Sequence, residues 1–504
     1  MKQLLAVCGD YFIVGLQDRA FIACLKDNVD TLICELKPTA AAAAAAGESE
    51  GNNPKSNSSN DDEQNKKNRE IQAVSITASP AQNNNEGTNL LLTCGVSRMD
   101  KSLEIYTVDL TATDKTVVES TLCHSTNKRV VTLCFGTIHG GNANNNNNNT
   151  VIIAGDLAGD VYAYSLHKQQ QHKLLLGHTA SMITSICMLT SSSPQNQQIL
   201  SSDRDEKIRI SQFPNSYIID GFLLGHTAYV SSMDTAIVNV NVPATSSSKV
   251  LRLVASCGGD ETMRLWNGNT YQQLLEMKLN NDNDDIDGAD GQADTAAAST
   301  TTTATTTTEQ QNVNEAEEED DNNSSGNNKA TASGPIPTNI TISSNGSKVA
   351  IIFDQSKRLD LYQITIEERN DDNESDGDDV FIVKASLLQR LDCPCQPLSV
   401  KFQNNDRILV LLRDPEYCVA YNIHDEEGLK LQSMGSICQV VSNDGDKIIM
   451  PDTILEKDTK GQPKLKKLTE TRVVDADAPW NRVERVDIAK KREKRAKKRR
   501  KEKK

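Results

Sequence analysis

Residues 225–267 read GHTAYVSSMDTAIVNVNVPATSSSKVLRLVASCGGDETMRLWN. The segment has a Gly-His pair at its start, two runs rich in Val, Ile and Leu, a Gly-Asp turn and a Trp near its end. Residues 177–211, GHTASMITSICMLTSSSPQNQQILSSDRDEKIRIS, follow the same order up to the position of the Trp. The two Gly-His pairs are 48 residues apart, and His226 precedes Trp266 by 40. A period of this length, filled with short β-type segments, predicts a repeat architecture.

These units resemble WD repeats, which form four-stranded antiparallel blades around a central axis. Short apolar segments bounded by Gly, Asp, Asn or Ser continue along the chain, which is typical of strands rather than helices. We therefore predict an all-β WD-repeat propeller with seven blades, with six or eight blades as the alternatives. Its blades are expected near residues 2–36, 70–123, 129–176, 180–224, 229–277, 336–389 and 395–450.

Five stretches of the 504 residues are rich in Ala, Asn, Thr or charged residues: 39–69, 140–149, 280–335, 367–379 and 452–504. Such segments bury too little apolar surface to offset the entropy lost on ordering. We predict one propeller over residues 1–451, in which the first four stretches are disordered insertions, and a charged tail over 452–504. No run of 18 apolar residues and no secretory cleavage pattern occurs, so we expect a soluble, unsecreted protein whose cysteines are free thiols.

In WD repeats the histidine of the Gly-His pair, an aspartate of a tight turn and the tryptophan of the third strand are joined by hydrogen bonds. The resemblance implies that His226, Asp260 and Trp266 form this network in one repeat. In the preceding repeat it implies His178 and Asp205, with Ser211 at the position of the tryptophan. We expect both histidines to be structural.

The string Asp203-Arg204-Asp205-Glu206-Lys207-Ile208-Arg209 and the segments that follow it, 217–219 and 222–226, resemble the WD-repeat non-catalytic subunit of eukaryotic tRNA (guanine-7-)-methyltransferase. Residues 154–162, AGDLAGDVY, share this resemblance. It implies a scaffold that binds and stabilises the catalytic subunit in a heterodimer that forms 7-methylguanosine in the tRNA variable loop. It implies no cofactor on this chain, because S-adenosylmethionine is expected on the catalytic partner. Transfer RNA would be reached through the complex, with no membrane and no small-molecule substrate.

The subunit contact of that family falls on residues 205–209, so the resemblance assigns partner binding to Glu206, Lys207 and Arg209, with Arg204 beside them. Strand alternation places Ile208 and Ile210 on one face and Lys207, Arg209 and Ser211 on the other. A charged face between blades needs a partner charge or an exit to solvent. Alternatively, Arg209 pairs with an acid of its own blade.

Catalytic signatures are absent from the sequence: it has no phosphate-binding Gly-rich loop, no dinucleotide fingerprint, no His-Glu-x-x-His and no nucleophile elbow. We therefore expect no enzyme. The alternative is a generic WD-repeat interaction scaffold in nuclear assembly, such as chromatin or ribosome biogenesis. A third class, an enzyme with a site in the axial channel, would need a cluster of polar residues on the innermost strands.

The last 15 residues are strongly basic, whereas the chain as a whole carries a net charge of −15. Such a tail binds anionic partners or an import receptor, and each neutralised phosphate adds salt-dependent affinity. We expect contact with the tRNA backbone, nuclear import or both, with the nucleus, and also the cytoplasm, as location. The tail residues assigned to these roles are Lys490, Lys491, Arg492, Lys494, Arg495, Lys497, Lys498, Arg499 and Arg500.

Overall fold

The structure of the protein is a computed structural model. It describes residues 2–26, 29–36, 69–80, 90–110, 117–138, 149–167, 171–179, 181–189, 197–242, 247–279, 335–368, 381–413, 418–424, 428–433, 455–457 and 463–465. The predicted insertions lie outside these residues except at their edges, where Asn149 and Glu368, for example, belong to strands. The basic residues 490–504 also lie outside them.

The described residues form seven four-stranded antiparallel sheets, each built from consecutive strands. Blade 1 contains β1 (Leu5–Cys8), β2 (Tyr11–Leu16), β3 (Arg19–Lys26) and β4 (Val29–Leu36), and blade 2 contains β5 (Ile71–Pro80), β6 (Leu90–Arg98), β7 (Ser102–Asp109) and β8 (Val117–Ser125). Blade 3 contains β9 (Val130–Ile138), β10 (Asn149–Asp156), β11 (Asp160–Ser165) and β12 (His172–Gly177). Blade 4 contains β13 (Ile183–Leu189), β14 (Gln198–Asp203), β15 (Ile208–Gln212) and β16 (Ile219–Leu223).

The remaining three blades follow the same plan. Blade 5 contains β17 (Val230–Val242), β18 (Ser247–Gly258), β19 (Thr262–Asn267) and β20 (Gln273–Lys278), and blade 6 contains β21 (Pro337–Ile342), β22 (Lys348–Phe353), β23 (Arg358–Glu368) and β24 (Phe381–Asp392). Blade 7 contains β25 (Pro397–Asn404), β26 (Arg407–Leu412), β27 (Cys418–His424) and β28 (Gly428–Ser433). The prediction of an all-β, seven-bladed propeller is confirmed.

The first strand of each blade lies innermost and contacts the first strand of the next blade, and β25 contacts β1. In the described part of the chain no blade combines strands from the two ends of the sequence. Side chains close the ring instead: Leu409 and Leu411 of blade 7 belong to one apolar cluster with Phe12 and Ile22 of blade 1. In addition, the Gln403 Nε2 donates a hydrogen bond of 2.8 Å to the Leu25 carbonyl oxygen.

Apolar clusters fill the gaps between neighbouring blades. Side chains alternate between the two faces of each sheet, and each face packs against one neighbouring blade. Between blades 4 and 5, for instance, Ile208, Ile210 and Leu223 pack with Val254 and Trp266. Each fully buried Leu or Ile stabilises the fold by about 1.5–3 kcal/mol. The core is therefore distributed around the ring.

Two short strands occur within the predicted tail. They are β29 (Leu455–Lys457) and β30 (Pro463–Leu465), which pair in antiparallel fashion and were not predicted. None of the described residues forms a helix long and apolar enough to span a membrane. The eleven cysteines among the described residues are free thiols, as predicted.

Candidate partner-binding site

The string that resembles the methyltransferase subunit forms the turn between β14 and β15. Ser202 pairs with Ile208, so residues 203–207 make the connection. Asp203 Oδ1 accepts hydrogen bonds from the backbone N–H groups of Asp205 (2.9 Å) and Lys207 (3.2 Å). Glu206 adopts φ of 73°, which turns the chain back into β15. The turn thus presents four consecutive exposed side chains, those of Arg204, Asp205, Glu206 and Lys207.

Asp203, and not Asp205, is the acid that contacts the histidine of this repeat. His178 Nδ1 lies 2.8 Å from Asp203 Oδ2, and His178 Nε2 lies 2.8 Å from Ser201 Oγ. Asp205 is exposed and accepts a hydrogen bond of 3.1 Å from Arg204 Nε. The assignment of Asp205 to the structural network is therefore wrong.

The register of the two strands explains this correction. In blade 5 the equivalent turn also has five residues, between the paired Cys257 and Met263. Its first position is Gly258, so the carboxylate comes from the third position, Asp260. In blade 4 the first position is Asp203, which stays buried beside the histidine, while the third position, Asp205, is at the exposed tip of the turn.

In blade 5 the three predicted residues are joined with the help of Ser256, which was not predicted from the sequence. His226 Nδ1 lies 2.9 Å from Asp260 Oδ2, and His226 Nε2 lies 2.8 Å from Ser256 Oγ. Trp266, which is buried, donates from Nε1 to the same Ser256 hydroxyl oxygen at 2.9 Å. Ser201 is the counterpart of Ser256, and its contact with His178 ends the network of blade 4.

Both network aspartates are held in the charged form. Burial alone would raise the pKa of Asp203, but hydrogen bonds from His178 and from the backbone N–H groups of Lys207 and Asp205 outweigh it, so this pKa lies below the ordinary carboxyl value. The pKa of Asp260 is lowered in the same way, with burial opposing the stronger effect of His226 and nearby donors. These carboxylates are therefore parts of the framework.

The loop before blade 4 is also held by the AGDLAGDVY string of blade 3. The backbone N–H of His178 donates to the Gly159 carbonyl oxygen at 2.8 Å. Gly159 has φ of 102°, and a Cβ atom there would lie 2.6 Å from the His178 carbonyl oxygen. A residue with a side chain is therefore excluded by both backbone conformation and space. Residues 154–162 of blade 3 thus position the backbone of His178.

Arg209 has a structural role within blade 4. Its Nε donates to Ser211 Oγ (2.8 Å), its Nη1 to the Gly177 carbonyl oxygen (3.3 Å) and its Nη2 to the Ser216 carbonyl oxygen (2.9 Å). Burial lowers the pKa of its guanidinium group. Pairing of Arg209 with an acid of its own blade is not found among the described residues. Arg264, at the same position in blade 5, does pair with an acid, Glu276, at 2.8 Å.

Glu206 and Lys207 have no such local role. Among the described residues, neither side chain has a hydrogen-bond or ion-pair partner. Ile208 and Ile210 are buried and Arg209 is half-buried, in agreement with the predicted alternation over these three residues, whereas Ser211 is buried as well. Lys207 is the exposed last residue of the turn. Two uncompensated, opposite charges at the tip of a rigid turn are well placed for recognition by another macromolecule. Their assignment to partner binding stays a prediction.

Two of the blades without a Gly-His pair, blades 2 and 6, contain another buried network that was not predicted from the sequence. In blade 2, Arg98 Nε donates to Glu104 Oε2 at 2.7 Å, and the Tyr106 hydroxyl donates to the same oxygen at 2.8 Å. In blade 6, Arg358 Nε donates to Asp360 Oδ1 at 2.8 Å, and the Tyr362 hydroxyl donates to Oδ2 at 3.1 Å. The signal was an acid two residues before a tyrosine on the third strand.

The cavity on the propeller axis is lined by both polar and apolar side chains, with no histidine among the described residues that line it. Small hydroxyl side chains of the innermost strands, such as Ser185, Ser232 and Ser399, line it. Its acid Asp234 forms an ion pair with Lys401 at 3.1 Å and accepts a hydrogen bond from the Thr341 hydroxyl at 2.8 Å. The charge of Asp234 is therefore balanced within the wall of the cavity.

Residues 167–313 match the family model described as the tRNA methyltransferase TRM82 WD40 domain. The matched range contains all strands of blades 4 and 5, including the exposed turn. The resemblance stated from the sequence is therefore confirmed for this part of the chain.

Three similar proteins have related names. The tRNA (guanine-N(7)-)-methyltransferase non-catalytic subunit TRM82 of Saccharomyces cerevisiae is 29% identical over 202 residues, which cover 38% of this chain and 39% of that protein. The subunit wdr4 of Dictyostelium discoideum is 32% identical over 148 residues, covering 26% and 28%. The subunit wuho of Drosophila mojavensis is 32% identical over 129 residues, covering 25% and 30%. The chain thus spans well under half the length of each relative.

Proposed function

We propose that this protein is the non-catalytic subunit of a tRNA (guanine-N(7)-)-methyltransferase. It binds and stabilises the catalytic subunit as a heterodimer, and tRNA is reached through the complex. The chain itself carries no cofactor, since S-adenosylmethionine belongs to the partner. The names of the relatives support this proposal.

One observation assigns partner binding to Glu206 and Lys207 in particular. The exposed turn of blade 4 lies inside the range that matches the family model, and its Glu206 and Lys207 side chains are unpaired among the described residues. A scaffold needs such a surface, because opposite charges fix the orientation of a partner and suppress wrong ones. Arg204 belongs to the same surface but is partly neutralised by Asp205. The guanidinium group of Arg209 instead binds the carbonyl oxygens of Gly177 and Ser216.

Charge reversal at Lys207 tests the proposal. We expect Lys207→Glu to lower the amount of methyltransferase that co-purifies by about tenfold or more, because an acid of the partner would then face a like charge. The melting temperature should stay close to that of the wild type, since the side chain is exposed. Arg209 is unsuitable for this test, because reversing it would break three local hydrogen bonds.

Lys357 offers a matched control. It is also exposed and also precedes the third strand of its blade, β23 of blade 6. Lys357→Glu should capture the methyltransferase as the wild type does. Equal capture by Lys207→Glu would remove the turn from the interface, whereas loss in both variants would indicate a nonspecific effect of charge. Capture of chromatin or ribosome-assembly proteins in place of a methyltransferase would favour the generic scaffold.

We also propose that the basic tail, residues 490–504, contacts the tRNA backbone and directs the protein to the nucleus. Support comes from its composition, in which twelve of fifteen residues are Lys or Arg. Deleting it should lower the tRNA affinity of the complex and reduce the dependence of that affinity on salt, because fewer counterions are released. An unchanged salt dependence would exclude the tRNA contact. Unchanged nuclear accumulation of the truncated chain would exclude the import role.

A further inference from the structure

The outer edge of blade 4 carries a cluster of exposed apolar side chains. Among the described residues, ten large hydrophobic side chains are exposed, and five of them lie within residues 217–224. Four of the five, Tyr217, Ile219, Phe222 and Leu224, are here called the apolar edge. Tyr217 and Leu224 are 72% and 65% exposed. Single exposed hydrophobics are common on protein surfaces, whereas a local concentration marks an interaction site.

The strand register places the apolar edge next to the charged turn. Phe222 pairs with Arg209, and Leu223 pairs with Ile208. Extending this register by one residue places Leu224 across from Lys207. Because residues directly opposite each other in an antiparallel pair share a face, Phe222 and Leu224 lie on the face of Lys207 and Arg209. The opposite face, with Ile208 and Leu223, is buried against blade 5.

Arg209 holds the backbone next to Tyr217, at one end of the apolar edge. Its Nη2 donates to the carbonyl oxygen of Ser216, the residue before Tyr217. The same turn is held by two backbone hydrogen bonds, from Gln212 N–H to the Ile218 oxygen and from Ile218 N–H to the Asn215 oxygen, both of 3.0 Å. Arg209 is therefore a positioning residue for Tyr217. A surface that is ordered before binding loses less conformational entropy when a partner docks.

We infer that the apolar edge is the hydrophobic part of a docking surface whose charged part is the turn with Glu206 and Lys207, and that its occupant is the catalytic methyltransferase subunit. This inference rests on the proposed function. The occupant presents an apolar surface flanked by an acidic side chain that pairs with Lys207. Two observations favour it: the apolar edge is continuous with the charged turn, and both lie within the range that matches the family model. Apolar anchors beside a charged group are the usual composition of a binding hot spot.

Serine substitutions test the inference. The double variant Phe222→Ser and Leu224→Ser removes two anchors from exposed positions, so the propeller should remain folded. We expect its dissociation constant for the purified catalytic subunit, measured by titration at near-physiological salt, to rise about 30-fold or more. The salt dependence of binding should change little, because no charge is altered, whereas Lys207→Glu should change it.

Leu387 and Leu388 provide the matched control. They are 38% and 43% exposed and lie on β24, the outer strand of blade 6. Their serine double variant should bind the catalytic subunit as the wild type does. An increase below about threefold in the Phe222 and Leu224 variant, or an equal loss in the control, would overturn the inference while leaving the proposed function intact.

Two further outcomes distinguish a failure of the proposed function from docking of a second copy of this chain on the apolar edge. If the wild-type chain binds no methyltransferase subunit, the proposed function fails, and the inference fails with it. If the wild-type chain self-associates in analytical ultracentrifugation, and the double variant abolishes this without changing affinity for the catalytic subunit, the apolar edge is a contact between copies and the inference is overturned.

Discussion

Replacing Glu104 with Leu is expected to destabilise the propeller by about 3–5 kcal/mol, because it leaves the Arg98 guanidinium buried without its counter-charge. Both side chains are fully buried, at 0% exposure, and their Nε and Oε2 atoms are 2.7 Å apart. The Tyr106 hydroxyl would lose its acceptor as well. Arg98 Nη1 also donates to the carbonyl oxygens of Asp18 (2.6 Å) and Arg69 (3.1 Å), so the effect should spread to the contact between blades 1 and 2.

Thermal and urea unfolding followed by circular dichroism would measure this loss. Glu367→Leu is the control, since Glu367 is an exposed acid that forms an ion pair of 3.8 Å with Lys384 on the surface. Exposed pairs of this kind contribute at most about 1 kcal/mol, so this variant should unfold close to the wild type. Equal stability of Glu104→Leu and the wild type would show that the buried network does not support the fold.

The second large expected effect is a difference in stability between variants of Asp203 and Asp205. Asp203→Ala should destabilise the protein by about 2–3 kcal/mol, because His178 and two turn N–H groups lose their acceptor in a buried site. Asp205→Ala should change the free energy of unfolding by no more than about 0.5 kcal/mol, since its side chain is exposed and contacts only Arg204. Equal losses, or a larger loss for Asp205→Ala, would contradict the corrected network.

The difference between wild type and Asp203→Ala should also depend on pH. The pKa of Asp203 in the folded protein lies below the ordinary value of 3.8, so the unfolded chain takes up the proton more readily. The stabilisation from this carboxylate is therefore fully present above the unfolded pKa and is lost as the pH falls through the lowered folded pKa. Unfolding midpoints of the two proteins should differ by the same amount at pH 7 and pH 6 and should approach each other in strongly acidic solution.

The seven blades could be predicted from sequence because the signals are local. Short runs such as 208–210 alternate with turn residues, and two Gly-His units set the period. The assignment of Asp205 failed because it depends on the register between β14 and β15. Five residues connect the paired Ser202 and Ile208, and a one-dimensional pattern does not say which of the three acids in that connection turns inward.

The candidate site was predicted only in part. The residues 204–207 stand out as a charged string, and the structure places them together at an exposed turn. The apolar edge was not predicted, because Ile219, Phe222 and Leu224 look like ordinary strand residues in the sequence. Whether such residues are covered depends on how far the neighbouring blade extends over the outer strand. Tertiary packing alone decides this.

The proposed role of this chain is that of the accessory subunit of a tRNA methyltransferase. Its most direct test is affinity purification of the full chain at near-physiological salt, with the eluate assayed for transfer of a methyl group from S-adenosylmethionine to N7 of guanine in tRNA. We expect a co-purifying methyltransferase whose activity falls when this chain is removed. An eluate without methyl transfer, or a methyltransferase equally active and stable without this chain, would contradict it.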